Sequence, residues 1–352
     1  MVAMSGGVDS AVSAYLLKES GRDCICANMA LFGDCCSRGT DGRLRGDEDA
    51  RAAAELLGLP FRVYDFREDF MLLVLESFIN SYRSGETPNP CVTCNQKIKF
   101  GNLLTAALEA GCDSVATGHY AGVERSGERF LLKKARDASK DQSYFLFSLT
   151  QAQLSRAAFP LGNLTKLEVR DIAVRLGFSN AHRRESQDIC FIEDGDYSGF
   201  IERSSDFSGS KGFFLDGSGR ILGEHGGIHR YTIGQRRGLG VPSAQPLYVV
   251  SIDAASNAIV LGSSEALFSR TLTARCINLI PFDEFGGTLR VSARVRSSQT
   301  EKTAMARMTD SDELLLEFDE PQRAVTKGQA VVLYDGNYVL GGGTISGSGN
   351  LY

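Results

Sequence analysis

The run Ala3-Met4-Ser5-Gly6-Gly7-Val8-Asp9-Ser10 constrains this chain more than any other stretch. Its two glycines can take backbone angles closed to other residues, which lets successive amide N–H groups curl around an anion. Asp9 to Lys18 then reads as a helix whose positive N-terminal end faces that anion. No Lys comes after the glycines, so a Walker-type phosphate loop is the wrong template. Taken alone, the run also fits an ordinary strand-to-helix turn with a Ser or Asp cap.

The segments after the loop decide how it is used. Cys24–Ala30 reads as a strand, Asp47–Leu57 as a helix ending at Gly58, and Phe61–Tyr64 as the next strand. Helices are expected at Phe70–Tyr82 and Phe100–Ala110, with a strand at Ser114–Thr117 leading into Gly118-His119-Tyr120. This alternation indicates a parallel sheet with helices on both faces, where ligands sit at the carboxyl ends of the strands. Both Ser5–Ser10 and Thr117–Tyr120 fall at such ends. The two together are expected to build one nucleotide site.

The 352 residues allow two or three domains, and 43% hydrophobic content is enough for real cores. From Thr150 to Leu176 the pattern is helical. Glycine is dense between Gly195 and Gly240, with strands at Leu247–Ile252 and Ala258–Leu261. Strands at Leu289–Val295, Thr303–Met308, Leu314–Phe318, Ala330–Tyr334 and Tyr338–Leu340 suggest a small antiparallel barrel. The run Gly341-Gly342-Gly343 is either flexible or closely packed.

No apolar run is long enough to span a membrane, and no leader precedes the loop, so the expected location is the cytoplasm with no membrane partner. The net charge of −5 does not itself suggest nucleic acid, yet basic residues gather locally. The clusters are Lys133, Lys134, Arg136 and Lys140; Arg183 and Arg184; Arg236 and Arg237; and Arg290, Arg294 and Arg296. Each taken singly reads as a solvated face.

Nine cysteines, an odd number, argue for thiol chemistry or metal binding over a disulfide framework. Cys91 and Cys94 form a C-x-x-C in a Pro-stiffened loop that opens into a helix near Lys97 and Lys99. Thiols there are expected to have lowered pKa values. Cys190 lies in Glu185-Ser186-Gln187-Asp188-Ile189-Cys190-Phe191, and Cys35 and Cys36 adjoin in a polar loop. Cys24, Cys26, Cys112 and Cys276 sit in apolar settings and read as buried, inert thiols. The C-x-x-C alone could be half a zinc site, a redox pair or chance, though no second C-x-x-C or His pair completes a zinc site.

The loop Ser-Gly-Gly-Val-Asp-Ser resembles the pyrophosphate-binding (PP-loop) motif of the ATP pyrophosphatases, which split ATP to adenylate a carbonyl oxygen. The whole chain resembles the bacterial tRNA-specific 2-thiouridylases. The matching motifs are Ala3–Ser10, Thr87-Pro88-Asn89-Pro90-Cys91-Val92-Thr93-Cys94-Asn95, Ala116–Tyr120, and Lys140-Asp141-Gln142-Ser143-Tyr144. They continue with Ser186–Ile192, Tyr231–Gly240 and Pro321–Gln329.

The resemblance implies an α/β adenine-nucleotide hydrolase-like domain at 1–193, a small glycine-rich central domain at 194–265, and a C-terminal antiparallel β-barrel at 266–352. It implies sulfur insertion at C2 of the wobble uridine in the tRNAs for Lys, Glu and Gln. ATP would bind at Ala3, Met4, Ser5, Gly6, Gly7, Val8, Asp9 and Ser10, with Met29 and Gly118 on the adenine or ribose side. Asp9 would hold Mg²⁺. Cys190 would carry a persulfide supplied by a cysteine desulfurase or sulfur-relay protein, and Cys94 would attack it or release its sulfur, ending in a Cys94–Cys190 disulfide. Asn89, Pro90, Cys91 and His119 would surround the splayed-out base, and Lys140, Asp141, Gln142, Arg296, Ser297 and Gln329 would contact tRNA.

Two departures from the family pattern matter. Arg296-Ser297 stands where Arg-Tyr is expected, removing a stacking contact. Cys91 stands where many relatives carry Asp, and a thiol is no simple substitute for a carboxylate base. Cys91, Cys94 and Cys190 are also a ligand set for a 4Fe–4S cluster with one open iron. Persulfide transfer is the preferred reading because Cys94 and Cys190 then need only thiolate chemistry. Another PP-loop ligase, or a non-catalytic RNA-binding module, is a more distant alternative.

Overall fold

A computed structural model of the chain describes residues 1–32, 45–179, 181, 189–192, 195–205, 207, 209–309 and 313–350. The chain divides into two compact units. One is built from Met1–Val74, Cys91–Glu193 and Asn337–Leu340, the other from Leu75–Pro90, Asp194–Gly336 and Gly341–Tyr352.

The first unit is organised by a five-stranded, all-parallel sheet in the spatial order Phe61–Asp65, Cys26–Ala30, Val2–Ala3, Val115–Ala116, Ala157–Ala158. Parallel strands are covered on both faces, which is why small apolar residues fill the centre of this sheet. Helix Val8–Glu19 buries Ala11, Val12 and Ala14 against Val2, Met4, Ala116 and Tyr120. Helix Arg45–Leu56 adds Ala50, Ala53 and Ala54, and helix Lys166–Arg175 adds Val169 and Ala173 to the same core. Strand order reverses at Val2–Ala3, since the next two strands lie to one side and the last two to the other. A crevice at such a reversal, outside the carboxyl ends, is where open α/β sheets bind ligands. The segments leaving it there are Met4–Gly7 and Thr117–Tyr120.

Two expectations for this unit need correction, and one element was not expected. The stretch from Thr150 to Leu176 is not one helical run: it is helix Gln151–Leu154, strand Ala157–Ala158 and helix Lys166–Arg175. Pairing with Val115–Ala116 takes up the strand. Pro160 has no amide hydrogen to give to a helix running through it, and the chain beyond passes so close to the Ala121 carbonyl oxygen that a Cβ on Gly162 would lie 2.0 Å from it. The helix expected from Phe100 starts at Pro90, with the ring at its first position, and runs through Pro90–Thr93, the π-helical Cys94–Asn102 and Leu103–Glu109. A hairpin of Ala121–Ser126 with Arg129–Lys134, joined by Tyr338–Val339, was not anticipated from the sequence.

The second unit holds a four-stranded sheet in the order Tyr248–Asp253, Ala258–Gly262, Gly212–Leu215, Ile221–His225. Phe214, Ile228, Tyr231, Val249, Ile259 and Leu261 form its core. The remaining strands make a six-stranded antiparallel barrel from Phe268–Leu279, Leu314–Arg323, Lys302–Met308, Thr288–Arg294, Ala330–Asp335 and Tyr338–Asn350, closed where the first pairs with the last. Leu314, Leu316 and Phe318 are buried at every second position, as barrel strands require.

The glycine run is closely packed rather than loose. A Cβ on Gly341 would sit 2.1 Å from the Asn278 carbonyl oxygen, and one on Gly343 would sit 2.4 Å from Ile277 Cδ1. The opposing strand is irregular between Arg275 and Asn278, and Cys276 there takes φ 53°. This irregularity leaves Cys276 exposed, against the expectation of an inert buried thiol; Cys26 is buried, and Cys24 and Cys112 are half-buried. Among the described residues no helix is long and apolar enough to cross a membrane. Arg183, Arg184, Cys35, Cys36 and Glu185–Asp188 lie outside the described residues.

Candidate active site

The Ser5–Ser10 loop is shaped by its glycines and tied by its serines. Gly6 takes φ 76°, the left-handed turn that the two-glycine spelling anticipates. Ser10 Oγ accepts from the Ser5 amide at 3.2 Å and donates to the Gly7 carbonyl at 2.9 Å. Gly7 caps helix Val8–Glu19 with no side-chain hydrogen bond, so the first-turn amides have neither a helical acceptor nor a side-chain cap. From the adjoining strand, Asn28 donates to the Met4 carbonyl at 2.9 Å, while its own buried Oδ1 has no partner among the described residues. Gly118 closes the arrangement. A Cβ there would meet Asp9 C and Ser10 N at 2.8 Å, so only glycine lets the Thr117–Tyr120 segment approach the loop. Met29 is half-buried near the end of its strand.

Asp9 is the focus of this corner. Its Oδ1 accepts from Lys166 Nζ at 2.7 Å and from the Tyr120 hydroxyl at 3.0 Å. Lys166 is only 7% exposed, and its ammonium also lies 5.7 Å from the centre of the Tyr120 ring. Its backbone is fixed by the reciprocal cap of Thr165 and Glu168 and by a hydrogen bond from its amide to Asp137. Sequence reasoning missed Lys166. The visible clue was Thr165-Lys166-Leu167-Glu168, a capping-box spelling that places Lys at a helix start.

Cys91, Cys94, Cys190 and His119 belong to the same unit. Their thiols do not have the lowered pKa values that the helix start suggested. Burial raises Cys91 and Cys94, outweighing the nearby Lys99 ammonium, which acts the other way. Packing of the chain around Cys190 raises its thiol, with Cys94 and Cys91 adding to the rise. The Cys190 residue itself is exposed, so water offsets part of that effect. His119 is held well below its ordinary value by burial and then by Lys99, and is neutral at pH 7. Its Nδ1 pairs with Thr117 Oγ1 at 2.7 Å. All three cysteines are free thiols, and among the described residues no trio of His, Cys, Asp or Glu is gathered to hold a metal ion.

Comparison with known proteins fits this arrangement. A family model described as "tRNA methyl transferase HUP domain" matches residues 1–194, a PRC-barrel model of the same series matches 198–263, and an aminomethyltransferase β-barrel model matches 269–345. The tRNA-specific 2-thiouridylase MnmA of Clostridioides difficile is 45% identical over 99% of this chain and 98% of its own length. Those of Moorella thermoacetica and Halothermothrix orenii are 46% and 45% identical, each over 98% of both chains. The chain belongs to the tRNA-specific 2-thiouridylase family. A solved 4-thiouridine synthetase–RNA complex with bound ATP is a more distant match, 20% identical with a TM-score of 0.34 over 54% of this chain and 43% of that one.

Several positions that the 2-thiouridylase pattern offers as tRNA contacts carry internal bonds in this chain. Asp141 accepts from the Ala135 amide at 3.1 Å and from Ser143 Oγ at 2.9 Å. Gln142 Oε1 accepts from the Tyr120 amide at 2.9 Å, so it helps fix the segment beside Asp9. In the other unit, Arg296 Nη2 donates to the carbonyls of Ile233 and Ala324 at 3.1 Å and to Thr326 Oγ1 at 2.6 Å. Gln329 Nε2 reaches the Thr87 carbonyl at 2.9 Å, just before Asn89 and Pro90. Lys140 and Asn89 are half-buried, Pro90 is buried, and Ser297 is exposed.

Proposed function

We propose that this chain is an ATP-dependent tRNA 2-thiouridylase acting on the wobble uridine of the tRNAs for Lys, Glu and Gln, in the cytoplasm. The observation that carries the reading is the Ser5–Ser10 loop at the sheet's reversal, with Gly118 pressed against it and Asp9 held by Lys166 and Tyr120. An uncapped helix start, an adjacent ammonium and a carboxylate fit the triphosphate of ATP and its Mg²⁺. Magnesium at Asp9 would supply charge neutralisation for the departing pyrophosphate. The division into 1–193, 194–265 and 266–352 goes with this assignment.

The uracil O2 attacks the α-phosphorus of ATP, the bond to pyrophosphate breaks, and O2 becomes part of an AMP leaving group. The loop amides and Lys166 face the charge that develops on the phosphates. The terminal sulfur of a Cys190 persulfide then bonds to C2. Cys94 thiolate attacks Cys190 Sγ and breaks the persulfide bond, whose electron pair stays on the sulfur at C2 as AMP departs with O2. Cys94 and Cys190 end as a disulfide, which an external thiol reductant returns to two thiols. A cysteine desulfurase or sulfur-relay protein recharges Cys190. The 4Fe–4S alternative would need Cys91, Cys94 and Cys190 as ligands, and among the described residues no such trio of donors is gathered.

The test is tRNA-dependent pyrophosphate release by Asp9→Asn. Release should fall by at least about a hundredfold while tRNA affinity stays within a few-fold, since the change removes charge at the phosphates and no RNA contact. Release at the wild-type rate would remove Asp9 from the mechanism.

A further inference from the structure

Lys99 is a half-buried cation on the helix that carries Cys91 and Cys94; its charge acts on Cys91, Cys94 and His119 next after burial, and on Cys190 after the two other thiols. Lys97, two residues earlier, is exposed. The winding of the helix bears on why the charge of Lys99, and not that of Lys97, is felt at the thiols. In an α-helix a residue five positions on is turned away by about 140°. Cys94–Asn102 is π-helical, and i→i+5 bonding stacks position i+5 over position i. The Leu103 amide bonds to the Ile98 carbonyl, five residues back. A Cβ on Gly101 would come within 3.2 Å of the Gln96 carbonyl oxygen, again five residues back.

The wide turn is held open from outside. Gln153 Nε2 donates to the Gln96 carbonyl at 2.8 Å and to the Phe100 carbonyl at 2.9 Å. Asn95 and Gln96 donate in turn to the carbonyls of Phe145 and Ser148. A chain that keeps a rare winding and braces it with three side-chain amides gains a specific side-chain register. Here Lys99 stands five positions on from Cys94, so that register turns it back toward the Cys94 side of the helix.

We propose that Lys99 is the cation that holds the sulfur anions of this site, and that the π-helical turn serves to aim it. The assignment rests on the persulfide reading above. Both sulfur steps need anions in a place where charge is costly: the terminal sulfur of Cys190 as it bonds to C2, and the Cys94 thiolate as it breaks the persulfide bond. Neutral His119 supplies no positive charge. One ammonium beside both sulfurs stabilises each in turn, and adenylation at Asp9 does not call on it.

The test separates the two half-reactions. Protein preloaded with persulfide at Cys190 is given tRNA and ATP for a single turnover, and 2-thiouridine and pyrophosphate are both measured. Lys99→Met should slow sulfur transfer at least about tenfold with pyrophosphate release within about twofold, and Lys99→Arg should restore most of the rate. Iodoacetamide labelling of Cys94, mapped by peptide mass spectrometry at pH 8 without tRNA or nucleotide, should slow in Lys99→Met and recover in Lys99→Arg. Unchanged transfer and labelling in Lys99→Met would overturn the assignment. Loss of pyrophosphate release in both variants would also overturn it, marking a role in folding. Cys190→Ser judges the persulfide reading separately: if it still thiolates tRNA that reading falls, while Cys94 labelling still decides Lys99.

Discussion

At the scale of single residues, Asp9 and Lys166 show what a sequence can and cannot reveal. Asp9 was legible because it sits inside a short spelling with a known backbone purpose. Lys166 is far along the chain, and nothing in its neighbourhood says that its ammonium returns to Asp9. We expect Lys166→Met to abolish most tRNA-dependent pyrophosphate release. It should also destabilise the fold by about 1–3 kcal/mol, less than for a fully buried pair because the Asp9 side chain keeps 30% of its surface open. Parallel turnover and thermal-melt measurements check both effects, and wild-type release would show the ion pair to be structural only. The cysteines teach a related lesson. Position at a helix start argued for acidic thiols, but burial, which spacing cannot report, reverses the direction.

At the scale of elements, the strand–loop–helix units were readable and their interruptions were not. Alternating apolar runs marked the parallel strands, whereas the π-helical turn at Cys94–Asn102 is set by Gln153, some fifty positions away in sequence. The glycine run near the end of the chain was ambiguous for the same reason, because its neighbours across the barrel decide its packing. Gly118→Ala tests such a close approach. The new methyl would press on Asp9 and Ser10 backbone atoms at 2.8 Å, and backbone does not yield as a flexible side chain would. A loss of about 1–3 kcal/mol in stability, with a larger loss of ATP binding than of tRNA binding, is the expected outcome. Unchanged ATP affinity in equilibrium binding would mean that the two segments do not form one site.

At the scale of the whole molecule, an acidic protein must still meet an RNA. Four of the eleven clustered basic residues named from the sequence are held in ion pairs: Lys133 pairs with Glu124, Arg136 with Glu168, Arg290 with Asp319 and Arg294 with Glu301. Arg236 and Arg237 are exposed. Binding should weaken steeply with salt. Arg236→Ala with Arg237→Ala should flatten that slope more than Arg290→Ala does; equal slopes would mean the ion pairs make no difference.

Stability should also have a plateau in pH. Burial lowers His119 and His225, so below their ordinary 6.5 the unfolded chain takes up protons that the folded chain refuses, and stability falls with acid. Burial raises Cys91 and Cys94 and pushes Cys26 up to about 12, so above the ordinary 9.0 the unfolded chain sheds protons that the folded chain keeps, and stability falls with base. Melting temperatures should be flat between these limits and drop outside them. A melting point that climbs on acidification to about pH 5 would contradict the assignment.

The central claim is that adenylation at Asp9 is followed by sulfur transfer through Cys190 and Cys94 as thiols. Nucleoside mass spectrometry of tRNA incubated with iron-free protein, ATP, Mg²⁺ and a persulfide donor tests it most directly. The predicted result is 2-thiouridine with the unsubstituted protein and with Cys91→Ser, and none with Cys190→Ser. Formation of 2-thiouridine only after anaerobic iron–sulfur reconstitution, and its loss in Cys91→Ser, would contradict the claim and make all three cysteines cluster ligands.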